Sequence, residues 1–372
     1  MFFYKRITAT LAALAMLIVF AGWGYTGHKT INTKASLSFN EEMSDFYQWT
    51  TILANHASDA DYRKNVDPTE GPKHYIDIDN YQIFNTTGRI PQTYDSVVSM
   101  YGLNFVIDNG ILPWATLTTY DSLQACFTRG DWDKAVLFAA DLGHYVADGH
   151  MPLHLTKNYN GQFTGNYGIH SRYETTMINA FISHFVYEGR EIAEVENVSD
   201  YVFGYIYDKY IYVDSVLAAD NYAQEVAGNT NSWTYKSTLW EQSKSFTVPL
   251  FSDASHALAE LIYSAWKAAG SPPMPSSSIC ETNGSDRFSL QNRPNPFSGE
   301  TEIGFKLEQH AGVTLSIFDL QGNRIQTICS RSFAAGTHHI LWQSANLPSG
   351  VYYLLLETGE QSSVKKIVSL GD

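Results

Sequence analysis

Three histidines and two carboxylates lie close together in the middle of the chain, at spacings that suit metal binding. His144 precedes Asp148 by four residues, His170 precedes Glu174 by four, and His154 lies between the two pairs. Residues four apart project from the same face of a helix. Imidazole nitrogens and carboxylate oxygens are ligands of catalytic zinc. Two helices that meet here would hold more donors than one ion needs, which predicts a metal cluster and the hydrolysis of phosphate esters.

Further candidate ligands lie upstream of this region. His28 follows Trp23 by five residues, and His74 lies in a segment that begins with Gly-Pro-Lys. Asp59 and Asp61 lie between them, and either carboxylate could face the site. The longer interval to His74 favours Asp59.

The ordered series of these residues resembles the superfamily of zinc-dependent bacterial phospholipases C and zinc-dependent single-strand nucleases. The resemblance extends over residues 23–270 and involves nine positions in the appropriate order. It implies an all-α catalytic domain that begins with a tryptophan and holds three zinc ions.

The resemblance also implies which residues bind each ion and how water is activated. The ligand sets are Asp59, His74, His144 and Asp148 for the first zinc, His154, His170 and Glu174 for the second, and the amine and carbonyl of Trp23 with His28 for the third, with Asp148 bridging the first and third. Asp59 would also act as the general base. An α-amine has a pKa of about 7.7–8.0 and can bind a metal near neutrality. The Trp23 amine is exposed only if Gly22 is removed.

The residues leave more than one substrate class open. Glu174 as the last ligand and the short interval from His154 to His170 are similar to the phospholipase branch. The short interval from Trp23 to His28 is similar to the nuclease branch. We expect a secreted zinc-dependent phosphoric diester hydrolase that cleaves phospholipid by metal-activated water. The alternatives are a nuclease that acts on single-stranded nucleic acid and a non-catalytic surface binding protein.

The first 22 residues are expected to be a signal peptide. Lys5 and Arg6 precede an apolar run from Ile7 to about Ala21, which is short for a membrane span. No other segment is long and apolar enough to cross a bilayer. We therefore expect no transmembrane segment after signal removal.

The last quarter of the chain has a different composition and period. Residues 271–285 are rich in proline and serine, which predicts a linker. In residues 286–372, short alternating segments with glycine between them predict a small antiparallel β-sandwich. Asn295-Pro296-Phe297 and the segment Leu347–Tyr353 resemble a type A sorting domain of type IX secretion. The resemblance implies contact with the type IX machinery, export through the periplasm, and a secreted or cell-surface location.

Charge and cysteine content narrow the possibilities further. The net charge of −14 argues against a broad basic surface for duplex nucleic acid or anionic membrane. It is compatible with an anionic substrate, because bound dications dominate the field of their own site. Cys126, Cys280 and Cys329 form no CxxC pair, so no thiolate zinc site is expected. The sequence leaves open whether Cys280 and Cys329 form a disulfide.

Overall fold

The computed structural model describes residues 23–274, 290–307, 309–319, 324–344, 347–358 and 361–371. The chain divides into two compact units, Met1–Met274 and Pro275–Asp372, called here the helical unit and the sheet unit. The predicted signal peptide and most of the predicted linker lie outside the described residues. Among the residues that are described, no helix combines the length and the apolar character needed to cross a bilayer.

Every regular element described in the helical unit is a helix or a helical turn, as predicted. The α-helices are α1 Gly24–Ala35, α2 Thr50–His56, α3 Asp59–Arg63, α4 Gln82–Thr87, α5 Tyr94–Tyr101, α6 Leu103–Asp108, α7 Leu112–Arg129, α8 Trp132–Gly149, α9 Ile169–Ser171, α10 Ile178–Phe181, α11 Val198–Tyr210, α12 Val213–Ala227 and α13 Trp233–Ala268. Shorter 3₁₀ turns are Ser36–Ser38, Glu41–Trp49, Gly71–His74, Ile78–Asn80, Pro152–His154 and Ile182–His184. A single π-helical turn, Arg172–Met177, follows α9.

Helix α8 is the centre of the helical unit. It packs against α1, α2, α7 and α13, and every residue from Leu142 to Gly149 is buried. A helix that is covered on all sides must be apolar or must pair its polar groups. His144 and Asp148 are the polar exceptions on this stretch, so their pairing determines what surrounds them.

Close contact between α1 and α8 depends on a glycine and an asparagine. A Cβ atom built on Gly143 would lie 2.3 Å from Asn32 Oδ1 and 2.7 Å from Leu258 Cδ2. The Asn32 amide donates to the backbone carbonyls of Leu53 and Ala140, each at 3.1 Å, and so links α1 to α2 and α8. Because Gly143 has no side chain, α1 can pack closely against α8, and this close packing brings His28 near α8.

Helix α13 begins earlier in the chain than the sequence pattern of its second half predicts. The sequence suggests a start at a Ser252 or Asp253 cap, but the helix begins at Trp233, where the Ser232 hydroxyl accepts from the Tyr235 amide at 3.1 Å. Ser252 instead donates to the Val248 carbonyl within the helix, and Asp253 forms ion pairs. The expected start is wrong because these polar side chains have other partners.

The described residues of the sheet unit form two antiparallel sheets, as predicted, with seven strands between them. The strands are β1 Gln291–Arg293, β2 Glu300–Leu307, β3 Ala311–Phe318, β4 Arg324–Phe333, β5 Gly336–Gln343, β6 Gly350–Thr358 and β7 Gln361–Ser369. Their orders are β1-β2-β5 and β4-β3-β6-β7. Alternate side chains such as Ile303, Phe305, Leu315 and Ile317 are buried in one core. Cys329 lies on β4, whereas Cys280 lies outside the described residues.

Replacing Gly143 by alanine is expected to lower the free energy of unfolding by about 1–3 kcal/mol, because the added methyl group overlaps Asn32 and Leu258. Chemical denaturation followed by circular dichroism measures the change. Gly204→Ala in α11 is the matched control: its methyl group meets nothing within 4 Å, and it should raise stability by up to about 1 kcal/mol. A Gly143→Ala variant as stable as the wild type would contradict this account.

Candidate metal centre

Helix α8 brings the first pair of predicted ligands to one buried point. His144 and Asp148 lie one turn apart, and neither side chain is more than 1% exposed. His144 Nδ1 lies 2.7 Å from the Ala57 carbonyl oxygen. A carbonyl can only accept, so Nδ1 carries the proton and Nε2 remains available, 3.3 Å from Asp148 Oδ2.

Two further histidine rings are held in the same way. His154 Nδ1 faces the backbone carbonyl of His74 at 2.5 Å, and His170 Nδ1 faces that of Tyr159 at 3.1 Å. Their Nε2 atoms lie 3.5 and 3.1 Å from the same oxygen, Glu174 Oε2. Backbone carbonyls thus fix the orientation of the rings and direct one nitrogen of each towards a carboxylate.

Asp148 joins this arrangement to His28 and His74. Its Oδ2 lies 3.0 Å from His74 Nδ1, and its Oδ1 lies 3.5 Å from His28 Nε2. The His28 ring stacks on His144 with centroids 3.8 Å apart. Histidines that are distant in sequence, His28, His74 and His144, therefore meet around the Asp148 carboxylate.

The donor atoms form three sets, in each of which all atoms lie within 4.8 Å of one another. They are the Asp61 set (Asp61, His74 and His144), the Glu174 set (His154, His170 and Glu174) and the His28 set (His28, His144 and Asp148). Every member is buried. The Glu174 set has the three members that the sequence suggests. His144 belongs to both other sets, and Asp148 is grouped with His28. One predicted side-chain ligand is an exception, because Asp61 takes the place of Asp59.

That exception is the choice between Asp59 and Asp61. Asp61 is buried, with Oδ1 3.7 Å from His144 Nε2 and 3.8 Å from His74 Nδ1. The Asp59 side chain is 42% exposed and pairs with His56 at 2.7 Å. Residues two positions apart on a helix project about 200° apart around its axis, so only one of Asp59 and Asp61 can face the site. The prediction that Asp59 faces the site as ligand and general base is therefore corrected in its geometry: the structure brings Asp61 to the other donors and leaves Asp59 beside His56.

The local sequence did not distinguish Asp59 from Asp61. Both lie in the short helix α3, and Ala57 and Ser58 form a turn that separates α3 from α2, so the face of one helix does not continue into the other. The interval to His74 carries little information about the choice, because residues 64–70 between α3 and the turn that carries that histidine are not helical.

The charges of the site favour a cation at its centre. Burial would raise the pKa of Asp148, but His154 and His144 hold it well below its usual range. Burial would lower the pKa of His144, but Asp148 and Asp61 raise it to about 9. Burial, reinforced by His144, lowers the pKa of His28 to about 3, so this ring is a neutral donor at pH 7.

Several buried atoms here have no hydrogen-bond partner among the described residues. They include both ring nitrogens of His28, Asp148 Oδ1 and His154 Nε2. Each such atom costs about 1–3 kcal/mol if nothing binds it. Ligand atoms around a tetrahedral zinc ion lie about 3.3 Å apart, and the separations given above run from 3.0 to 3.8 Å. The donors therefore fit divalent cations.

Trp23 lies beside the site, but its predicted role concerns its backbone. The side chain is fully buried, its indole donates to the Ala147 carbonyl at 2.7 Å, and its ring packs on Phe251. The Trp23 carbonyl accepts from the Gly27 amide at 3.2 Å, which starts α1. Residues 1–22 lie outside the described range, so metal binding by the Trp23 amine stays a prediction.

Arg172, which lies between His170 and Glu174 in sequence, points away from the donors. Its guanidinium pairs with buried Asp220 at 2.9 Å and donates to the Tyr235 hydroxyl at 2.7 Å. The π-helical turn Arg172–Met177 contains both this outward anchor and the inward-facing Glu174. Arg172 therefore holds the segment in place.

An open cleft of about 410 Å³ leads to the candidate metal centre. Its lining residues include members of two donor sets and several polar and aromatic neighbours, namely Lys64, Gly71, Pro72, His74, Tyr75, Asp77, Asp108, Leu153, His154, Tyr159 and His170. Burial and the nearby Asp79 raise the pKa of Asp77 to about 7. The donors are thus buried but can be reached from one side.

A buried carboxylate that is not among the residues predicted from the sequence, Glu70, lies next to His74. Glu70 Oε1 is 3.6 Å from His74 Nε2. Glu70 and His74 are four residues apart, the same spacing as in the pairs His144–Asp148 and His170–Glu174. That spacing was the sequence signal by which Glu70 could have been found.

No curated protein sequence matches this chain. Among solved structures, the chain is similar to the alpha toxin from Clostridium absonum, with 11% identity and a TM-score of 0.43, over 94% of this chain and 97% of that chain. It is also similar to the Clostridium perfringens alpha-toxin isolated from avian strain SWCP, with 10% identity and a TM-score of 0.41, over 94% of this chain and 98% of that one.

The sheet unit has a match of its own. Residues 293–369 match the family described as "Secretion system C-terminal sorting domain". The match confirms the predicted sorting domain and implies an interaction with the type IX secretion machinery. The protein is therefore secreted or displayed at the cell surface.

Proposed function

We propose that the helical unit is a zinc-dependent phosphoric diester hydrolase of the phospholipase C type. One observation carries the proposal: buried imidazole and carboxylate donors from seven helices and turns between His28 and Glu174 converge on one centre, and several of the donor atoms have no hydrogen-bond partner among the described residues. Donors of this kind, arranged as three neighbouring sets, suit a cluster of divalent cations and phosphate ester chemistry. With Asp61 in the place of Asp59, every predicted side-chain donor belongs to one of the sets, which argues against a non-catalytic binding protein.

Three zinc ions are proposed, one for each donor set. The residues that would hold them are Asp61, His74, His144 and Asp148 for the first, His154, His170 and Glu174 for the second, and His28 with the amine and carbonyl of Trp23 for the third. Bound zinc ions lower the pKa of a coordinated water and offset the charge of a phosphate. Asp148 would join the first and third ions, because its two oxygens face different histidines.

Asp61 is the proposed general base. Burial would raise its pKa, but His144, His28 and Lys64 lower it, so the carboxylate is ionised and can accept a proton. The Lys64 ammonium lies 2.6 Å from Asp61 Oδ1 and also lines the cleft. It would hold the carboxylate in place and attract an anionic substrate.

Two features favour phospholipid as the substrate. The last ligand is Glu174, and only fifteen residues separate His154 from His170 (by the numbering of the chain); both features are similar to the phospholipase branch. The single-strand nuclease is kept as a second candidate. Tyr75 and Tyr159 line the cleft and could stack on unpaired bases.

The substrate class is tested by assaying the exported protein on two substrates. We expect release of phosphorylated headgroup from phospholipid micelles, and little cleavage of single-stranded DNA under the same conditions. The reverse result would support the nuclease. Activity on neither, nor on a generic phosphodiester, would remove the enzyme proposal.

Asp61→Asn should abolish most of the activity, by about 10²–10⁴-fold, because the base and one ligand are lost together. Asp59→Asn is a closely matched control: it makes the same chemical change two residues away, at a half-exposed position, and should leave activity within about twofold. The rate constant kcat and the zinc content per molecule are measured for both. Equal losses in the two variants, or a larger loss for Asp59→Asn, would restore the original choice of Asp59.

Removal of metal should destabilise the helical unit, because the buried donors would lose their partners. A site held at 100 times its Kd contributes about 2.7 kcal/mol, so a chelator should lower the Tm by several degrees and zinc should restore it. His144→Ala removes a member of two sets, and its Tm should respond much less to zinc. A wild-type Tm indifferent to chelator, with no zinc by elemental analysis, would contradict the proposal.

A further inference from the structure

Glu70 is a buried carboxylate that lies just outside the three donor sets. It is 1% exposed, and it precedes the turn Gly71–His74 that ends at a proposed ligand. Its Oε1 lies 3.6 Å from His74 Nε2, just beyond hydrogen-bond distance. The proposed hydrolytic mechanism does not use it.

His74 is oriented differently from the other rings of the Asp61 and Glu174 sets. Those rings are held through Nδ1 by backbone carbonyls and present Nε2 to the site. His74 presents Nδ1, which lies 3.0 Å from both Asp148 Oδ2 and His144 Nε2. Its Nε2 therefore points outward, is buried, and has no hydrogen-bond partner among the described residues. Glu70 is the carboxylate that this nitrogen faces.

Three neighbours fix the position of the Glu70 carboxylate. Lys73 Nζ lies 2.7 Å from Oε2, and an Arg63 nitrogen lies 3.3 Å from Oε1. The Tyr145 hydroxyl donates to Oε1. Arg63 belongs to α3, which carries Asp61, and Tyr145 follows His144 on α8. The carboxylate is thus tied to both helices that supply the other ligands of the Asp61 set.

A carboxylate next to the distal nitrogen of a metal-binding histidine fixes the ring tautomer and makes the other nitrogen a stronger donor. We propose that Glu70 is a positioning residue of the Asp61 set: it holds the proton of His74 on Nε2 and directs Nδ1 to the metal. This inference rests on the proposed zinc function. It assigns Glu70 a role in metal affinity beyond that of a counter-ion for Arg63 and Lys73.

A substitution at Asp141 distinguishes a role in metal affinity from a role as a counter-ion. It pairs with the same Arg63 at 3.0 Å and is largely buried, with its side chain 18% exposed. No contact between Asp141 and His74 is recorded among the described residues. Asp141→Asn therefore disturbs the same charge network without touching the histidine, and it is the matched control for Glu70→Gln.

The experiment measures zinc affinity of the full chain by competition with a chromophoric chelator, together with zinc content and Tm. Glu70→Gln keeps the shape of the side chain but removes its charge. We expect affinity at one class of site to fall by about 10–100-fold, with the other sites unchanged, and Asp141→Asn to bind like the wild type. Unchanged affinity in Glu70→Gln, or an equal loss in Asp141→Asn, would overturn the inference.

A second measurement needs no variant and so does not depend on how Glu70→Gln folds. Long-range ¹H–¹⁵N correlation spectra of the zinc-loaded wild type report which nitrogen of His74 carries the proton. A proton on Nε2 and metal on Nδ1 are expected, and the opposite arrangement would overturn the inference. A wild type that binds no zinc would overturn the proposed function itself, a result distinct from either outcome above.

Discussion

The structure of the helical unit depends on one buried charge in particular, the Asp148 carboxylate near the C-terminal end of α8, where every residue from Leu142 to Gly149 is buried. An isolated carboxylate in such a place costs several kcal/mol after relaxation. It is tolerated because His28, His74 and His144 converge on its two oxygens. The segments that carry these rings must therefore approach α8 closely, and the small residue Gly143 permits this on the side of α1.

Backbone carbonyls, rather than long side chains, determine how the donors point. The carbonyls of Ala57, His74 and Tyr159 each hold one histidine ring. Because a carbonyl can only accept a hydrogen bond, it selects the tautomer as well as the orientation. The loops around the site are thus part of its chemistry. Gly110, with φ of 83° against the Tyr75 carbonyl, allows one of these loops to pass.

The donor chemistry is consistent with the location that the sorting domain implies. Secreted proteins work in oxidising surroundings, where thiolates are vulnerable. The three donor sets contain imidazoles and carboxylates and no cysteine. A cluster of cations would also offset, within one pocket, the acidic balance of the chain as a whole.

The sequence by itself determined the two fold classes, the sorting domain and most of the donors, because helical and strand periods are local and the spacings His144–Asp148 and His170–Glu174 translate directly into shared faces. Tertiary structure decided between Asp59 and Asp61 and revealed Glu70. Helix α3 has five residues, too few for a hydrophobic pattern to fix its rotation about its axis. Which carboxylate turns inward is set by packing against α8, and the partner of an outward-facing ring nitrogen is a contact that no local pattern encodes.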